Sequence, residues 1–547
     1  MRKYIALALL IFTLLPVLAA TPAAAADIYA QTDVPKIFIT TQTNVTRDYC
    51  AAAVRVIDKK GGTEPELSDT GAKVKIRGNS TSSGAKKPFN IKFSSKTDLL
   101  GMGKNKKWCL LANCYEKTLL RNQTVLDFSA AIGLAYTPKY RVCDVYLNGK
   151  FLGSYLVTDA IGASKTRVDI DTDANEFILE RDSYTDEGTT YFTTDIYGIR
   201  FGINEPDEQT AEQKAWLFDF VAKAERALAG GSLKEIEKYF DVDSMVDFYI
   251  VLEYFKNVDV GTGSTRFYIK NGRIYGGPVW DFDLSAGNCS SDYYRDYNNV
   301  GTSGNSWEGL WCERMWFRPL LSVPSVREKL AARYAELQDE IINLYADNTL
   351  GGNYIDRMLA EYGASFRRNY KEAGWSDSVR YNVFERTPDK GYEANLAYYR
   401  AWLEKRNEWL KAEWGIDDKI TLLPGSGARA DGWFIRDIKE KTAAGAVSAD
   451  ADAFFGGKKL RSGEYLPTGA VLTRGGAGYC VIVRGDIRAN GILDSVDYLY
   501  LKRLVLQTVS LGYPETLASD ITGDGRTDAY DYLLLKRHVL GTYNIYG

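Results

Sequence analysis

The sequence predicts an α+β fold, with strands gathered in the first part of the chain and helices in the second. Three observations carry this prediction. Strand-like segments with turn residues follow one another as far as "EFILERD", which ends at Asp182. Apolar residues at helical spacing dominate from Asp207 onward. Near the end, a loop followed by a helix occurs twice, beginning at Asp486 and at Asp520, which predicts a separate all-α unit.

Composition and the first residues indicate an exported protein without a strong charge bias. The chain has 547 residues, 45% of them hydrophobic, and a formal net charge of −3, which gives no sign of nucleic-acid or membrane-surface binding. Residues 1–26 resemble a secretory signal peptide, with two basic residues, an apolar core from Ile5 to Leu18 and an Ala24-x-Ala26 cleavage pattern. No later segment approaches the ~20 apolar residues of a membrane span. We therefore expect a secreted, extracellular protein whose mature form has no membrane span.

The histidine count excludes several kinds of catalytic site. His538 is the only histidine, so a Ser-His-Asp triad, a Cys-His pair or a His-rich metal site cannot be built in the main body. The seven cysteines are scattered and form no dense disulfide framework; Cys109 and Cys114 are expected to be buried thiols. What is left is chemistry by Asp, Glu, Lys, Arg, Ser and Tyr with hard metal ions: phosphoryl transfer, hydrolysis by a carboxylate pair, or no catalysis.

The first half of the main body contains the strand-like segments, with turns at Gly78-Asn79 and Asn148-Gly149. The segments are "AKVKIRGNS", "FNIKF", "VCDVYLNGKFLGSYLV" and "EFILERD". Helices are predicted in "LLRNQTVLDFSAAIGL", "EQTAEQKAWLFDFVAKAERALAGG", "VDSMVDFYIVLEYFKNV", "SVREKLAARYAELQDEIINLYA" and "NLAYYRAWLEKRNEWLKAEWG". This order of elements suits a protein-kinase-like fold and a general α+β enzyme equally well, so it does not decide the function.

Six motifs follow one another along the body. They are "KVKIRGNSTSSGAKKPFNIKF", "WCLLANCYEKTLLRN", "YTPKYRVCDVYLNGKFLGSYLV", "FILERD", "EYFKNVDVGTGSTRFYIK" and "GGPVWDFDLSAGN". Together they closely resemble the spore-coat-H (CotH) kinase family across about residues 35–340. This resemblance implies a secreted, atypical protein kinase with a kinase-like fold over residues 27–415, which uses ATP with Mg²⁺ or Mn²⁺ and acts on a protein substrate.

The resemblance also assigns roles in phosphoryl transfer. Asp281, which follows the Trp in "VWDFD", takes the position of the metal-binding Asp of kinases, and Asp283 could share that ion or support its ligands. Asp259 takes the position of the catalytic Asp that accepts the proton of the substrate hydroxyl. Ser264 stands where a kinase loop has a metal-binding Asn, and a hydroxyl is the weaker magnesium ligand.

Two further residues are expected at the nucleotide phosphates. Lys87 in "AKKPF" matches the family's Lys best, and Asp159 in "YLVTDAI" stands where the family has a Glu that would pair with such a Lys. Asp159 is one methylene shorter than that Glu, which weakens the pairing. Arg121 and Asn122 in "LLRN" match the family as well, but the sequence assigns them no role.

Residues 416–483 differ from the body, since they are rich in Gly, Ala and Ser and contain short β-like pieces such as "GAVLT" and "YCVIVRG". We interpret them as a small β-rich connector module. A carbohydrate-binding module is the functional alternative, in which "DGWF" would supply an aromatic platform.

The last part of the chain contains two loops with calcium-ligand spacing, each followed by a helix. In the second loop, "DITGDGRTDAYD", Gly525 supplies the sharp turn and oxygen ligands fall at positions 1, 3, 5, 9 and 12. These ligands are Asp520, Thr522, Asp524, Asp528 and Asp531. The ligands of the first loop, at positions 1, 5, 9 and 12, are Asp486, Asn490, Asp494 and Asp497. Its position 3 is Arg488, a cation where a ligand oxygen belongs, so we expect weaker calcium binding there.

This repeat resembles a type I dockerin over residues 484–547, an all-α domain with EF-hand-like loops. The resemblance implies Ca²⁺ as cofactor and, as partner, a cohesin of a scaffoldin, in a cellulosome or at a cell surface. In dockerins, positions 10 and 11 of each loop help to select the cohesin. Here the pairs are Ser495-Val496 and Ala529-Tyr530. Because they differ, we expect one binding orientation rather than two equivalent ones.

Two other functions stay open at this point. The first is a glycoside hydrolase, because dockerins are usually carried by enzymes of polysaccharide degradation. Its carboxylate pair would come from Glu180, Asp259 and Asp281. A catalytically inactive structural or binding component of the cellulosome is the second, and both Ser264 and Asp159 favour it. Magnesium-dependent binding of an ATP analogue would distinguish the kinase from both.

Overall fold

The structure is a computed structural model, and it describes residues 34–58, 66–183, 188–295 and 301–547. The signal peptide predicted for residues 1–26 lies outside these ranges. Within them, no helix has both the length and the apolar character that crossing a bilayer demands. All seven cysteines are free thiols, and Cys109 and Cys114 are buried as expected.

Seven strands at the beginning of the described chain form a closed barrel. They are β1 (Lys36–Thr40), β2 (Cys50–Ile57), β3 (Leu67–Ile76), β4 (Phe89–Asp98), β5 (Lys104–Leu111), β6 (Tyr140–Leu147) and β7 (Lys150–Asp159). Their order around the barrel is β1-β2-β3-β4-β5-β7-β6, and a parallel pairing of β1 with β6 closes it. Alternate residues such as Ile37, Ile39 and Val74 are fully or almost fully buried in one core.

The hairpin between β6 and β7 confirms the turn predicted at Asn148-Gly149. Both residues have positive φ, 49° and 81°, as the two central residues of a type I′ turn require. The Asn148 side chain also accepts a hydrogen bond from the Thr41 N–H at 2.8 Å, which ties the hairpin to the end of β1. The local sequence therefore sets this turn, and the barrel uses it to bring β1 and β6 together.

A second sheet of five antiparallel strands follows the barrel. Its strands are β8 (Phe177–Arg181), β9 (Thr190–Thr193), β10 (Arg200–Glu205), β11 (Thr265–Lys270) and β12 (Arg273–Gly276), in the order β12-β11-β8-β10-β9. Trp316 is fully buried behind it, with its ring centroid 4.9 Å from Phe201 and 5.0 Å from Phe267. Burial of such large rings is a main source of stability in this part of the body.

Helices cover this sheet and fill the second half of the body. They are α1 (Arg121–Ala131), α2 (Ala211–Ala229), α3 (Leu233–Ile236), α4 (Val242–Tyr254), α5 (Phe317–Leu321), α6 (Pro324–Glu336), α7 (Gln338–Asn343), α8 (Tyr354–Lys371) and α9 (Tyr392–Glu413). The mixed α/β class is confirmed. One predicted helix, "SVREKLAARYAELQDEIINLYA", is divided at Leu337 into α6 and α7, although the sequence has no Gly or Pro there.

A third sheet precedes the last three helices. Its strands are β13 (Arg429–Asp431), β14 (Phe434–Ile438), β15 (Asp452–Phe455), β16 (Lys458–Lys459), β17 (Val471–Arg474) and β18 (Ala477–Val483), in the order β13-β14-β18-β17-β15-β16. The helices are α10 (Ser495–Val505), α11 (Tyr513–Ser519) and α12 (Ala529–Val539). Sheet and helices share one apolar core, in which Val481 and Val483 lie with Leu501 and Leu535.

The third sheet also contacts the body directly. A buried ion pair joins Lys411 of α9 to Asp418, with 2.6 Å between Nζ and Oδ2, and the Gly478 N–H donates to the Asp339 carboxylate at 2.9 Å. In the "DGWF" segment, Phe434 is buried, and the half-buried Trp433 packs against Tyr479 with 5.0 Å between ring centroids. This part of the chain is therefore packed on both sides, against the body and against the last helices.

Candidate functional site

A cleft of about 810 Å³ is lined by both the barrel and the five-stranded sheet with its loops. Four of the predicted site residues line it: Asp259, Ser264, Asp281 and Asp283. Glu180 of β8, the extra carboxylate of the hydrolase alternative, lines it too. Residues distant in sequence are thus brought to one cavity of a size that suits a small-molecule ligand.

Asn257 joins the two loops that carry Asp259 and Asp281. Its Oδ1 accepts a hydrogen bond from the Asp259 N–H at 2.9 Å, and its Nδ2 donates to the Asp281 carbonyl at 3.1 Å. One buried side chain therefore fixes the spacing of the two carboxylates. The sequence analysis missed Asn257, although it stands two residues before Asp259 in the "KNVD" motif.

The α1 helix holds the Asp281 loop from the other side. The Asn122 Oδ1 accepts a hydrogen bond from the Phe282 N–H at 2.8 Å. Arg121 donates to the carbonyls of Ser285 and Ala286 at 3.1 and 3.3 Å and pairs with the Glu116 carboxylate at 2.5 Å. These contacts give Arg121 and Asn122 the role that the sequence could not assign: they position the Asp281 loop.

Asp281 has a left-handed backbone, with φ of +66°, an uncommon state for a residue other than Gly. Its carboxylate is exposed, and the Ser264 hydroxyl lies 3.4 Å from Oδ2. Ser264 is left-handed as well, with φ of +50°. Unusual backbone states held in place by surrounding hydrogen bonds are typical of ligand-binding sites.

Burial and neighbouring negative charge raise the pKa of two carboxylates in the cleft. Burial and the neighbouring charge of Asp281 raise the pKa of Asp259 to about 7. Burial, together with the charges of Asp281 and Asp259, raises the pKa of Asp283 well above its ordinary value. No ion pair engages any of these three carboxylates within the described part of the chain. Carboxylates that repel one another in a cleft are arranged to attract a positive ion.

Cations line the barrel side of the same cleft. Lys75 and Arg77, at the end of β3 and just beyond it, have no carboxylate partner among the described residues; the Arg77 guanidinium lies 5.5 Å from the centre of the Trp280 ring. Buried polar atoms without a hydrogen-bond partner occur here too, at Trp311 Nε1 and Arg266 Nε. Unpaired cations and donors facing unpaired carboxylates suit a ligand that carries phosphate together with a metal ion.

Lys87 and Asp159 do not form the expected pair. The Lys87 ammonium donates to the Ser82 carbonyl at 3.0 Å, whereas Asp159 pairs with Arg167 at 3.2 Å in a second cavity of about 540 Å³. Neither residue lines the first cleft. The reason is the barrel order: Lys87 precedes β4 and Asp159 ends β7, and β5 lies between these two strands.

Glu180 is already paired. Its carboxylate forms an ion pair with Arg266 and accepts a hydrogen bond from Asn204 Nδ2 at 2.9 Å. A group held in this way is a poor general acid, because protonating it would break the pair. The second carboxylate of the hydrolase alternative is therefore not supported.

The protein side chains of the cleft do not form a complete metal site by themselves. In the ranges that the structure describes, no group of three or more His, Cys, Asp or Glu side chains could hold an ion by itself. Magnesium is usually bound by one or two carboxylates, water and substrate phosphates. The donors present fit that mode of binding, in which Asp281 and Asp283 would supply the protein oxygens.

Asp283→Asn is expected to stabilise the metal-free protein at neutral pH. The pKa of Asp283 is raised well above its ordinary value. A carboxyl group of this kind stabilises the fold below the ordinary carboxyl pKa of about 4, and this stabilisation is lost as the pH rises from there through the folded-state pKa. An amide at position 283 carries no charge to bury, so urea unfolding at neutral pH should show a gain of about 1–3 kcal/mol and a flatter pH dependence.

The matched control for this substitution is Asp292→Asn, at an exposed position in the same segment, which should change neither quantity. A variant less stable than the wild type at neutral pH would show that the Asp283 charge is compensated in the fold.

The second loop of the repeat has the donor set of a calcium loop. The Asp520 carboxylate accepts hydrogen bonds from the N–H groups of Gly523, Asp524 and Gly525 at 2.7, 3.2 and 2.8 Å. Asp531 is buried and binds the Asp528 N–H at 2.8 Å. The acidic side chains of this loop, like the others in the described ranges, do not converge on one point without the ion, but oxygen donors stand at ligand positions 1, 3, 5, 9 and 12, so the residue types present fit calcium.

The first loop is different. Arg488 forms an ion pair with the position-9 carboxylate, with 2.6 Å between Nη2 and Asp494 Oδ2. Asp486 is fully buried, and Asn490 and Asp497 lie at the remaining ligand positions. A guanidinium stands where the ion would bind, so this loop does not fit calcium as the second one does.

Comparison with protein families agrees with these observations. A family model described as CotH kinase protein matches residues 74–410, which is more than half of the chain, and a model described as Dockerin type I domain matches residues 484–540. None of the curated proteins compared with the chain matches it. The family resemblance predicted from the motifs is confirmed. The chain belongs to the CotH kinase protein family and carries a type I dockerin domain.

Proposed function

We propose that the protein is a secreted, atypical protein kinase that uses ATP with Mg²⁺ or Mn²⁺ and is docked through its dockerin to a cohesin of a scaffoldin. Family membership and the dockerin domain support a cellulosome-associated CotH-like protein. The observation that carries the kinase activity is the division of charge in one cleft. Among the residues that the structure describes, Asp259, Asp281 and Asp283 face the cleft without a cationic partner, and Lys75 and Arg77 face it without a carboxylate partner.

Each group has a place in phosphoryl transfer. Asp281 and Asp283 would hold the metal ion, and Ser264 would supply a weak additional oxygen. Lys75 and Arg77 bind the phosphate oxygens, the role first assigned to Lys87. A metal-bound nucleotide supplies the phosphoryl group, whose charge these cations neutralise.

Asp259 accepts the proton of the acceptor hydroxyl. The raised pKa of its carboxyl group, about 7 in the metal-free protein, suits proton transfer near neutral pH, because a general base is most effective when its pKa lies close to the working pH. The Asn257 side chain holds the Asp259 backbone at a fixed distance from the Asp281 loop, which orients this carboxylate toward the same ligand.

Transfer of labelled phosphate from ATP is the test of this proposal. The full chain, incubated with ATP labelled at the γ-phosphate and Mg²⁺ or Mn²⁺, should incorporate label into itself or an added protein substrate, and Asp281→Ala should not. Metal-dependent ATP binding without transfer would favour an inactive, nucleotide-binding component of the cellulosome. No binding of ATP with either metal would refute the kinase proposal.

Docking is expected to depend on one of the two loop-helix copies. Tyr530 of the second copy is 58% exposed on α12, whereas the equivalent residue of the first copy, Val496, is half-buried. Tyr530→Ala should therefore weaken cohesin binding by about 2 kcal/mol, as expected for an aromatic anchor, and Val496→Ala by much less.

Calorimetric titration of the full chain with type I cohesins measures this difference. Circular dichroism with Ca²⁺ present is the control that both variants remain folded. Equal effects of the two substitutions, each compensated by the intact copy, would demonstrate two binding orientations instead.

A further inference from the structure

The first loop of the dockerin contains its own cation. Arg488, at position 3, binds the position-9 carboxylate of Asp494 at 2.6 Å. In the second loop, position 3 is Thr522, whose hydroxyl donates to Asp520 at 3.2 Å, and Asp528 at position 9 has no ion pair among the described residues. The two copies therefore differ at the point where calcium would bind.

The third sheet supplies further donors to the first loop. The fully buried Asp486 carboxylate accepts hydrogen bonds from the loop N–H groups of Asn490 and Gly491, both at 2.9 Å, and from the Thr468 N–H at 2.8 Å. Thr468 lies just before β17, outside the dockerin. The equivalent carboxylate in the second loop, Asp520, accepts hydrogen bonds from groups of its own loop alone, as far as the described residues show.

The first loop is also packed against that sheet, whereas the tip of the second loop is open. Lys441 donates its N–H to the Gly491 carbonyl at 2.7 Å, and the Leu493 N–H donates to the Glu440 carboxylate at 3.1 Å. A Cβ on Gly491 would lie 2.9 Å from the Leu466 carbonyl oxygen, but one on Gly525 would meet nothing within 4 Å.

We propose that the first loop is organised without calcium, with Arg488 as its cation and the β-rich module as its support, so that this dockerin binds a single Ca²⁺ in its second loop. A calcium ion in the first loop would face the guanidinium at short range and would have to compete for the Asp494 carboxylate. Residues 416–547 then act as one docking unit, in which the sheet does for one loop what calcium does for the other. This inference does not depend on the kinase proposal.

Calcium stoichiometry of the full chain tests the proposal. After removal of metal by EDTA, calorimetric titration with CaCl₂ should give one bound ion per chain, and Asp520→Ala should give none. Arg488→Asp, which removes the built-in cation and adds a ligand oxygen, should bind two. Arg526→Gln, an exposed arginine of the second loop, is the matched control and should leave the count at one.

Hydrogen exchange of the wild type supplies a second measurement that needs no variant. In EDTA, the amides of Asn490 and Gly491 should keep the protection they have in calcium, because their acceptor is the buried Asp486. The amides of Ile521 and Gly525 should lose most of theirs. Two calcium ions of similar affinity in the wild type, residual calcium binding by Asp520→Ala, or equal loss of protection in both loops would overturn the proposal.

Discussion

Asp281→Asn is expected to abolish metal-dependent nucleotide binding, while Asp259→Asn leaves binding nearly intact and lowers turnover. An amide at position 281 cannot neutralise Mg²⁺, whereas in the proposed kinase the Asp259 carboxylate acts on the acceptor hydroxyl and not on the nucleotide. Loss of a general base lowers kcat by about 10²–10⁴-fold, and an interaction made only in the transition state leaves KM unchanged. Fluorescence titration with an ATP analogue, followed by steady-state phosphate transfer, separates the two effects.

Ser264→Asn provides the opposite change at the same site. Because an amide oxygen replaces a weaker ligand beside Asp281, Mg²⁺ affinity or activity should rise. Asp292→Asn, at an exposed position, serves as the control for the loss of one negative charge. Asp281, Asp259 and Ser264 variants that bind and transfer like the wild type would exclude this cleft as the site of phosphoryl transfer.

Glu253→Ala is expected to destabilise the body strongly, with a loss of about 3–5 kcal/mol in the free energy of unfolding. Glu253 of α4 and Arg406 of α9 are completely buried and paired, with 2.6 Å between Oε1 and Nη2. Truncation of one partner leaves the other charge in the core without compensation. Urea unfolding followed by tryptophan fluorescence measures the loss.

This ion pair also supports the cleft. The Glu253 carboxylate accepts hydrogen bonds from the Trp311 and Cys312 N–H groups at 2.9 and 2.7 Å, and Arg406 donates to the Trp307 and Gly309 carbonyls at 2.8 and 2.9 Å. It thereby fixes the segment that places Trp311 in the cleft. The control is Glu404→Ala, at an exposed position on α9, the helix of Arg406. It should change the free energy of unfolding by no more than about 0.5 kcal/mol. A similarly small loss for Glu253→Ala would show that the pair contributes little.

The sequence by itself determined the features that depend on neighbouring residues. The Asn148-Gly149 turn follows from backbone conformations that few residues adopt. The start of α2 follows from Thr210 and Gln213, which form a capping box three residues apart. The fit of the second loop to calcium follows from the spacing of oxygen donors within twelve positions. In each case the interacting groups lie within one turn or loop, so a short pattern specifies the structure.

The family motifs also allowed part of the candidate site to be predicted from the sequence. Asp259, Ser264, Asp281 and Asp283 were predicted to act together, and the structure brings them to one cleft. Without the motifs, no local pattern links Asp259 to Asp281, because they come together through Asn257 and through packing of the sheet.

The tertiary structure alone decided which distant groups meet. Closure of the barrel depends on β1 pairing with β6 across more than a hundred residues, and the break at Leu337 carries no Gly or Pro. Strand order separates Lys87 from Asp159 and places Lys75 and Arg77 in the cleft instead. The contact of Thr468 with Asp486 likewise joins two parts that the sequence presents as a connector and a dockerin. Contacts between such distant residues depend on packing and on the burial of polar groups. A short sequence pattern carries no information about either.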